Sequence, residues 1–176
     1  MIFTETPIKG AWIIDIERIE DERGYFARTW ARDEFAQHGL TLDHEQHSVS
    51  YNKVKGTLRG MHYQIAPYAE TKLIRCIKGA IQDVVVDLRP ESPTFKHWHS
   101  VEMNAENLRA LYIPHGCGHG FITLEDDSLV NYLISGQYHP ASARGVRWND
   151  PVFGIVWQNT PTIINTRDAS YADFTE

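Results

Sequence analysis

The residues from Gly56 to Gln64 combine side chains that could do chemistry with the composition of a β-strand. Aromatic, β-branched and apolar residues are mixed with polar ones, and glycines punctuate the run. Strict alternation puts two sets on opposite faces: Leu58, Gly60, His62 and Gln64 on one, and Thr57, Arg59, Met61 and Tyr63 on the other. An imidazole and an amide on one face suit a polar pocket. A core histidine satisfied by a neighbouring hydrogen bond fits the same strand equally well.

The bulk composition is typical of one soluble globular domain covering residues 1–176. The chain is long enough to bury a core, and 42% of its residues are hydrophobic and 23% are charged. No apolar run approaches the length of a membrane span, and the first residues lack the basic and apolar regions of a signal peptide. We therefore expect a cytoplasmic protein that makes no use of a membrane.

Cysteine spacing and net charge limit the function classes further. Cys76 and Cys117 lie far apart and form no CxxC motif, so reduced thiols are expected. A net charge of -6 argues against general nucleic-acid binding, although a local basic pocket for a phosphate is compatible with it.

The elements that must position the polar residues are mostly strands. After a strand over residues 11–18, one helix is predicted from Arg32 to about His38, with acidic residues in its first turn and Gly39 as a stop. Further on, the sequence predicts strands at 45–51, 57–64, 72–78, 80–89, 97–103, 108–113, 120–124 and 129–135. Many short strands predict a two-sheet sandwich, jelly roll or barrel. The irregular residues after Val146 predict a tail wrapped over it.

Two glycine–histidine blocks, separated by several strands, resemble the paired motifs of cupins. Gly56 precedes His62 by the cupin interval, and Pro114-x-Gly116-x-x-His119 matches the later motif. The resemblance implies an all-β fold, the cupin-type double-stranded β-helix or jelly-roll barrel, with short peripheral helices. His119 is then expected to line the same pocket as His62. The alternative is that His119 only hydrogen-bonds to backbone.

The residues expected to bind a metal in such a barrel are incomplete. A metal-binding cupin uses His-x-His and a glutamate from the first block and a histidine from the second. Gln64 stands at the second histidine position, and Glu70, the possible glutamate, lies in a loop-like run. Two histidines and an amide make a weak site. We therefore expect no metal and no other cofactor, and chemistry carried out by side chains alone.

Seven ordered segments resemble the dTDP-4-dehydrorhamnose 3,5-epimerase family over nearly the whole chain. They are residues 21–26, 58–64, 72–76, 87–89, 91–95, 113–121 and 147–151. The resemblance implies epimerisation of a nucleotide-linked 4-keto-6-deoxyhexose at C3, C5 or both, in deoxysugar biosynthesis. In that chemistry a base removes a proton next to the ketone, and the enolate oxygen is stabilised. An acid then returns a proton to the opposite face.

The resemblance assigns catalytic roles to four residues. His62 corresponds to the base, since imidazole titrates in the right range, and Asp168 to the aspartate paired with it. Tyr132 matches the acid, because a phenol with a pKa of ~10 stays protonated. Lys72 resembles the cation near the enolate oxygen. Without the family, Asp168 would be interpreted as a solvated loop residue, Tyr132 as a packing residue and Lys72 as a solvated lysine.

Further residues are implied at the substrate. Arg23 and Arg59 resemble the contacts to pyrophosphate and substrate, because a guanidinium presents a fork of N–H donors to phosphate oxygens. Regular alternation turns Arg59 away from the catalytic histidine, and a bulge or kink at Gly60 would resolve this conflict. Phe26 and Tyr138 are candidates to stack on the nucleobase, with core packing as the competing interpretation.

One residue and one three-residue run around the expected nucleotide and sugar depart from the family pattern. Arg28 stands where the family commonly has an acidic residue, and His44-Glu45-Gln46 replaces a run that usually carries glutamine and asparagine. Arg28 and Gln46 are expected to contact the substrate. A dTDP-linked sugar is the expected substrate, and CDP- or GDP-linked sugars and inversion at a single carbon stay open.

Two other functions and an assembly also follow from the resemblance. One is a ketoisomerase that moves the carbonyl between neighbouring carbons, and the other is a cupin that only binds a sugar or nucleotide. The resemblance also implies a homodimer in which an N-terminal strand of each barrel crosses to the partner. We therefore expect a homodimer in which Arg23 and Phe26 serve the neighbouring site.

Overall fold

The computed structural model describes residues 1–175, which form mostly strands and two short helices. The elements are β1 (Ile2–Glu5), β2 (Trp12–Asp15), β3 (Ile19–Asp21), β4 (Gly24–Phe26), α1 (Arg32–Gln37), β5 (His44–Asn52), β6 (Thr57–Gln64), β7 (Lys72–Lys78), β8 (Ala80–Asp87), β9 (Trp98–Asn104), β10 (Ala110–Ile113), β11 (Cys117–Thr123), β12 (Ser128–Ser135), β13 (Ala143–Gly145), β14 (Ile163–Ile164) and α2 (Thr166–Ala169). Neither helix in this part of the chain has the length and apolar character needed to cross a bilayer. The cytoplasmic location stays a prediction.

The strands form two large sheets that face each other across the main core. One has the order β1-β2-β10-β7-β12-β5, and the other the order β13-β6-β11-β8-β9 with β14 beside β6. Ile74 and Leu111 from the first sheet and Val85 and Phe121 from the second are buried in one cluster. Burying the apolar faces of both sheets against each other stabilises the fold. The predicted jelly roll is confirmed.

Each sheet is also covered on its outer face. Phe35 of α1 packs with Leu73 and Leu133 outside the first sheet. The irregular residues after Val146 cover the second sheet, where Phe153 packs against buried valines of β8. The predicted helix and the predicted tail are therefore both present, and the helix ends one residue before the expected His38.

Five elements escape prediction because they are only two to four residues long: β1, β3, β13, β14 and α2. Strands β13 and β14 form because they pair with β6: β13 pairs with residues 62–64 and β14 with residues 57–58. Strand β11 begins at Cys117 instead of the expected Gly120. Its glycines permit close packing: a Cβ on Gly118 would lie 2.9 Å from Cγ1 of Val86.

Strand β6 contains a bulge that decides which side chains face the core. His62 pairs with His119 and Arg59 pairs with Phe121, so three residue steps on β6 oppose two steps on β11. The extra residue shifts the alternation, and Arg59 and His62 therefore face the same interior. Met61 turns outward and is buried with the valines of β8. Strict alternation along this strand was the wrong expectation, and the predicted kink at Gly60 is confirmed.

Glycine is required at the bulge for two reasons. Gly60 has a φ of +132°, where residues with a Cβ are strained. A Cβ added to Gly60 would also lie 2.5 Å from the Cα of Gly120 on the neighbouring strand. Both the backbone conformation and the strand spacing therefore exclude a side chain here.

Replacing Gly60 by alanine is expected to lower the free energy of unfolding by about 3 kcal/mol, from strain plus overpacking. Urea unfolding measures the change. Gly24→Ala is a matched control, because Gly24 has a φ of +126° but no atom within 4 Å of an added Cβ. It should carry the backbone strain alone. Equal losses for both variants would refute the close-contact argument.

Candidate active site

A pocket of about 320 Å³ opens between the two sheets. Seven of the eleven predicted site residues line it: Gln46, Arg59, His62, Lys72, His119, Tyr132 and Tyr138. They come from β5, β7 and β12 of one sheet, from β6 and β11 of the other, and from the loop after β12. An eighth residue, Asp168, is hydrogen-bonded directly to one of them. The fold therefore brings together residues that are more than 120 positions apart in sequence.

His62 and Asp168 form a dyad in which the carboxylate is buried and the imidazole is partly exposed to the pocket. Nε2 of His62 donates to Oδ1 of Asp168 at 2.7 Å, and the other carboxylate oxygen accepts from the backbone N–H of Gly60 at 3.0 Å. Burial alone would raise the pKa of Asp168, but the contact with His62 and the Gly60 hydrogen bond lower it below its usual value. Asp168 is fully buried, so the alternative of a solvated loop residue is wrong.

The segment that carries Asp168 is held against the bulge from both ends. Strand β14 runs parallel to the first residues of β6, and α2 follows at once. Asn165 caps α2 by accepting from the backbone N–H of Asp168 at 2.8 Å. The carboxylate is therefore positioned by the same strand that carries the histidine.

Tyr132 lies on the wall opposite His62, on β12 of the facing sheet. Its hydroxyl and the hydroxyl of Ser50 are 3.0 Å apart and share a hydrogen bond. Burial raises the pKa of the Tyr132 phenol well above its usual value. The phenol is therefore a proton donor at neutral pH. An imidazole and a protonated phenol thus face each other across the pocket.

Lys72 is buried in the pocket, so the alternative of a solvated lysine is wrong. Its ammonium pairs with Glu70 at 2.8 Å and donates to the backbone carbonyl of His62 at 3.3 Å. Glu70 also accepts from the amide of Gln64 at 3.0 Å. The two residues at the metal positions of a cupin are thus bonded to each other. Within residues 1–175 no three His, Cys, Asp or Glu side chains are grouped to hold a metal ion.

His119 forms a second dyad, buried on both sides, with a residue that the sequence analysis did not identify. Its Nε2 lies 2.7 Å from Oδ1 of Asp83, which is fully buried on β8. Burial raises the pKa of Asp83. The alternative that His119 only bonds to backbone is wrong. A charged residue inside the apolar run of β8 was the available signal for Asp83.

Arginines gather at the pocket, and two of them were not identified from the sequence. Arg59 donates through Nε to Asn52 at 2.7 Å, which fixes its guanidinium beside β5. Arg144 and Arg167 also line the pocket. They lie within β13 and α2, two short elements that local patterns do not predict, and nothing else in the sequence distinguishes them. Tyr138 lies at the same opening and is largely exposed.

Three predicted substrate residues lie away from this pocket in the same chain. Arg23 pairs with Asp21 in the β3–β4 hairpin, and its side chain is 82% exposed. Phe26, at the end of that hairpin, and Arg28 line a separate depression, where Arg28 is 3.8 Å from Glu34. Their contact with substrate stays a prediction and requires a second chain.

Comparison with known proteins identifies the family to which the chain belongs. Residues 5–176 match the family model described as dTDP-4-dehydrorhamnose 3,5-epimerase. The enzyme of that name from Sinorhizobium fredii is 37% identical, over 100% of this chain and 91% of its own length. The chain belongs to the dTDP-4-dehydrorhamnose 3,5-epimerase family. It is therefore a member of a family of sugar-nucleotide isomerases, as the seven segments predicted.

Two solved structures show how closely the family fold is kept. The dTDP-4-dehydrorhamnose 3,5-epimerase from Bacillus anthracis, with TDP and PPi bound, has a TM-score of 0.94 and 37% identity, covering 98% of this chain and 99% of that one. ChmJ, a 3'-monoepimerase from Streptomyces bikiniensis in complex with dTDP-quinovose, has a TM-score of 0.88 and 35% identity, covering 96% and 85%. The jelly roll of this family member is thus the same as in relatives with one or two inverted centres.

The two dyads predict opposite effects of pH on stability. A lowered pKa means that Asp168 stabilises the fold above its usual value of 3.8 and loses that contribution as pH falls below it. The raised pKa of Asp83 means the reverse, so its contribution declines as pH rises. Asp168→Asn should therefore cost about 2 kcal/mol at pH 7 and less at low pH. The penalty for Asp83→Asn should shrink as pH rises. Urea unfolding of both variants from low pH to pH 7 tests these two predictions. If the stability penalty changes with pH in the same direction for both variants, the assignment is contradicted.

Proposed function

We propose that this chain epimerises a dTDP-linked 4-keto-6-deoxyhexose at C3 and C5 without a cofactor, in deoxysugar biosynthesis. The observation that carries the proposal is the placement of His62 and Tyr132 on facing sheets across one pocket. Inversion requires that a proton leave one face of a carbon and return to the other. The dTDP ligands and the activities in the names of the relatives support the sugar nucleotide as substrate.

His62 is the base in this proposal. Asp168 accepts from Nε2, which leaves Nδ1 to take the proton from the carbon next to the ketone. The buried carboxylate stabilises the imidazolium that forms, and it fixes the ring tautomer before the reaction. Tyr132, protonated because burial raises its pKa, returns a proton to the opposite face.

Lys72 stabilises the enolate oxygen. Removing the proton places negative charge on the former ketone oxygen, and a preorganised cation in a partly dehydrated pocket lowers the energy of that charge. Glu70 holds the ammonium from one side and the His62 carbonyl from another, so Lys72 needs little reorganisation during the reaction.

The nucleotide end of the substrate is bound by the arginines and by Tyr138. Guanidinium groups of Arg59, Arg144 and Arg167 suit the oxygens of a diphosphate. Tyr138 offers an exposed ring for stacking on the base, and Gln46 contributes an amide from β5. The B. anthracis relative with TDP and PPi bound supports a nucleoside diphosphate as part of the substrate.

A second candidate is inversion at C3 alone. The similarity to a 3'-monoepimerase favours it, because the fold alone does not separate the two outcomes. Arg28 and the run before His47 also depart from the family pattern near the expected nucleotide and sugar. One experiment must therefore report each carbon separately.

Solvent exchange in D2O separates the candidates. The protein is incubated with dTDP-4-keto-6-deoxyglucose, and the C3 and C5 protons are followed by NMR. Loss of both signals is expected in the wild type, and His62→Asn should slow both by about 10²-fold or more, because the base is gone. Loss at C3 alone would replace the main proposal by the second candidate.

A second variant tests the acid. Tyr132→Phe keeps the ring but lacks the hydroxyl proton. Exchange of the sugar protons through His62 should therefore continue, while the amount of inverted product falls. Loss of exchange and inversion together would contradict the role of Tyr132 as acid. No exchange by the wild type would refute a dTDP substrate and direct the test to CDP- and GDP-linked sugars.

We also propose that the site is completed in a homodimer by the β3–β4 hairpin of the second copy. The hairpin pairs with neither large sheet, and Phe26 at its end is 64% exposed. Strand β5 is the edge of the first sheet, borders the pocket and exposes Val49 and Tyr51 on its outer side. An exposed apolar edge strand next to an incomplete site supports coverage by a partner.

Mixing two inactive variants tests this assembly. Arg23→Ala lacks the hairpin arginine and His62→Asn lacks the base, so each homodimer should be impaired. After subunit exchange, half of the dimers are mixed and each regains one intact site, which gives about a quarter of wild-type activity. A monomeric mass by light scattering, or mixed dimers without restored activity, would refute the shared site.

A further inference from the structure

Tyr171 lies behind His62 and outside the pocket lining, in the C-terminal segment that also carries Asp168. We propose that Tyr171 is a positioning residue that holds the imidazole of His62 against Asp168. The inference rests on the proposed role of His62 as the base. It adds a residue that neither the sequence motifs nor the family resemblance identified.

The ring of Tyr171 is seated on a glycine opposite the histidine. In the β13–β6 pair, Gly145 is the direct partner of His62. A Cβ added to Gly145 would lie 2.2 Å from two ring carbons of Tyr171, so the ring occupies the space of the missing side chain. The position of the Tyr171 ring is therefore fixed by the backbone of Gly145, directly beside His62 in the strand pair.

From this seat the Tyr171 ring meets the imidazole edge to face. The ring centroids are 6.3 Å apart and the planes are inclined by 75°. Asp168, three residues earlier, holds Nε2 of the same imidazole at 2.7 Å. One short segment thus contacts His62 twice, by a hydrogen bond and by a ring, and the two contacts together restrict rotation of the imidazole.

The ring of Tyr171, and not its hydroxyl, carries this role. The hydroxyl is buried and makes no hydrogen bond to the imidazole, and the charged group that acts on it most strongly is the guanidinium of Arg167. Tyr171 does not line the pocket, so it acts on the reaction through the side chains next to its ring, His62 and, with Cζ 5.9 Å from the ring centroid, Arg167. A displacement of a catalytic group by about 1 Å can cost about 10²-fold in rate, so a support of this kind affects turnover more than substrate binding.

Three single variants distinguish a role of Tyr171 in positioning His62 from a role in packing the C-terminal segment against the barrel. Tyr171→Ala should lower kcat about tenfold or more with KM within about twofold, and Tyr171→Phe should restore kcat to within about twofold. Phe174→Ala is the matched control, since Phe174 is an aromatic of the same tail that packs on Phe153 away from the pocket. It should lower the thermal midpoint while kcat stays near the wild-type value.

Double variants test the contact itself. Gly145→Ala should lower kcat in the wild-type background by displacing the ring, and should have little further effect once Tyr171 is alanine. Tyr171→Ala should likewise add little to Asp168→Asn, because both act through the imidazole. Additive losses in either cycle would overturn the inference.

The outcomes distinguish this inference from the proposed function. Absence of turnover by the wild type would refute the dTDP-sugar epimerase and the inference with it. A wild type that turns over no faster than Tyr171→Ala, or an equal loss of kcat in Phe174→Ala, would overturn the inference alone. Loss of kcat in Tyr171→Ala with recovery in Tyr171→Phe is the result that the geometry predicts.

Discussion

One carboxylate, that of Asp168, connects the irregular backbone of this barrel with its chemistry. One of its oxygens accepts from the N–H of Gly60 in the bulge, and the other accepts from the imidazole of His62. The bulge is what turns Arg59 and His62 to the same interior face. A buried carboxylate needs such donors, because burial without partners would favour its neutral form. The fold and the proposed base are therefore stabilised by the same two hydrogen bonds.

The remaining polar groups of the pocket follow the same rule of pairing. Lys72 is balanced by Glu70, and His119 by Asp83, each within 2.8 Å. Removing Glu70 would leave the buried charge of Lys72 without compensation, which costs far more than the pair contributes. Hydrogen bonds from Lys72 to the His62 carbonyl and from Arg59 to Asn52 connect the two sheets, so the sheets must be correctly registered before the pocket exists. Catalytic preorganisation in this protein is thus a consequence of sheet packing.

The strands that form the pocket walls could be predicted from sequence, and the contacts between distant segments could not. Local composition defines β6 and β7 to the residue. Gly60 could be identified as the place of a kink because Arg59 had to share a face with the histidine. Asp83 was missed because its histidine lies 36 positions away. Tyr171 was missed because its neighbour is a glycine on a three-residue strand. Arg144 and Arg167 carry no local pattern at all.

The hairpin residues Arg23, Phe26 and Arg28 show the opposite limit. Family motifs predict them at the substrate, whereas the single chain leaves the first two on an exposed hairpin and pairs Arg28 with Glu34. In the proposed homodimer, the site that each of these side chains reaches depends on the second copy, and no pattern within one chain encodes that geometry. The pocket lined by Gln46, Tyr132 and Lys72 needs only its own two sheets.

The tautomer of His62 tests the central claim most directly. In 15N-labelled protein at a pH where the ring is neutral, two-bond 1H–15N correlation spectra report which ring nitrogen carries the proton, and comparison with His62→Asn assigns the signals. We predict a proton on Nε2, donated to Asp168, and a bare Nδ1 ready to act as base. A proton on Nδ1 would contradict the dyad and remove Asp168 as the group that orients the base.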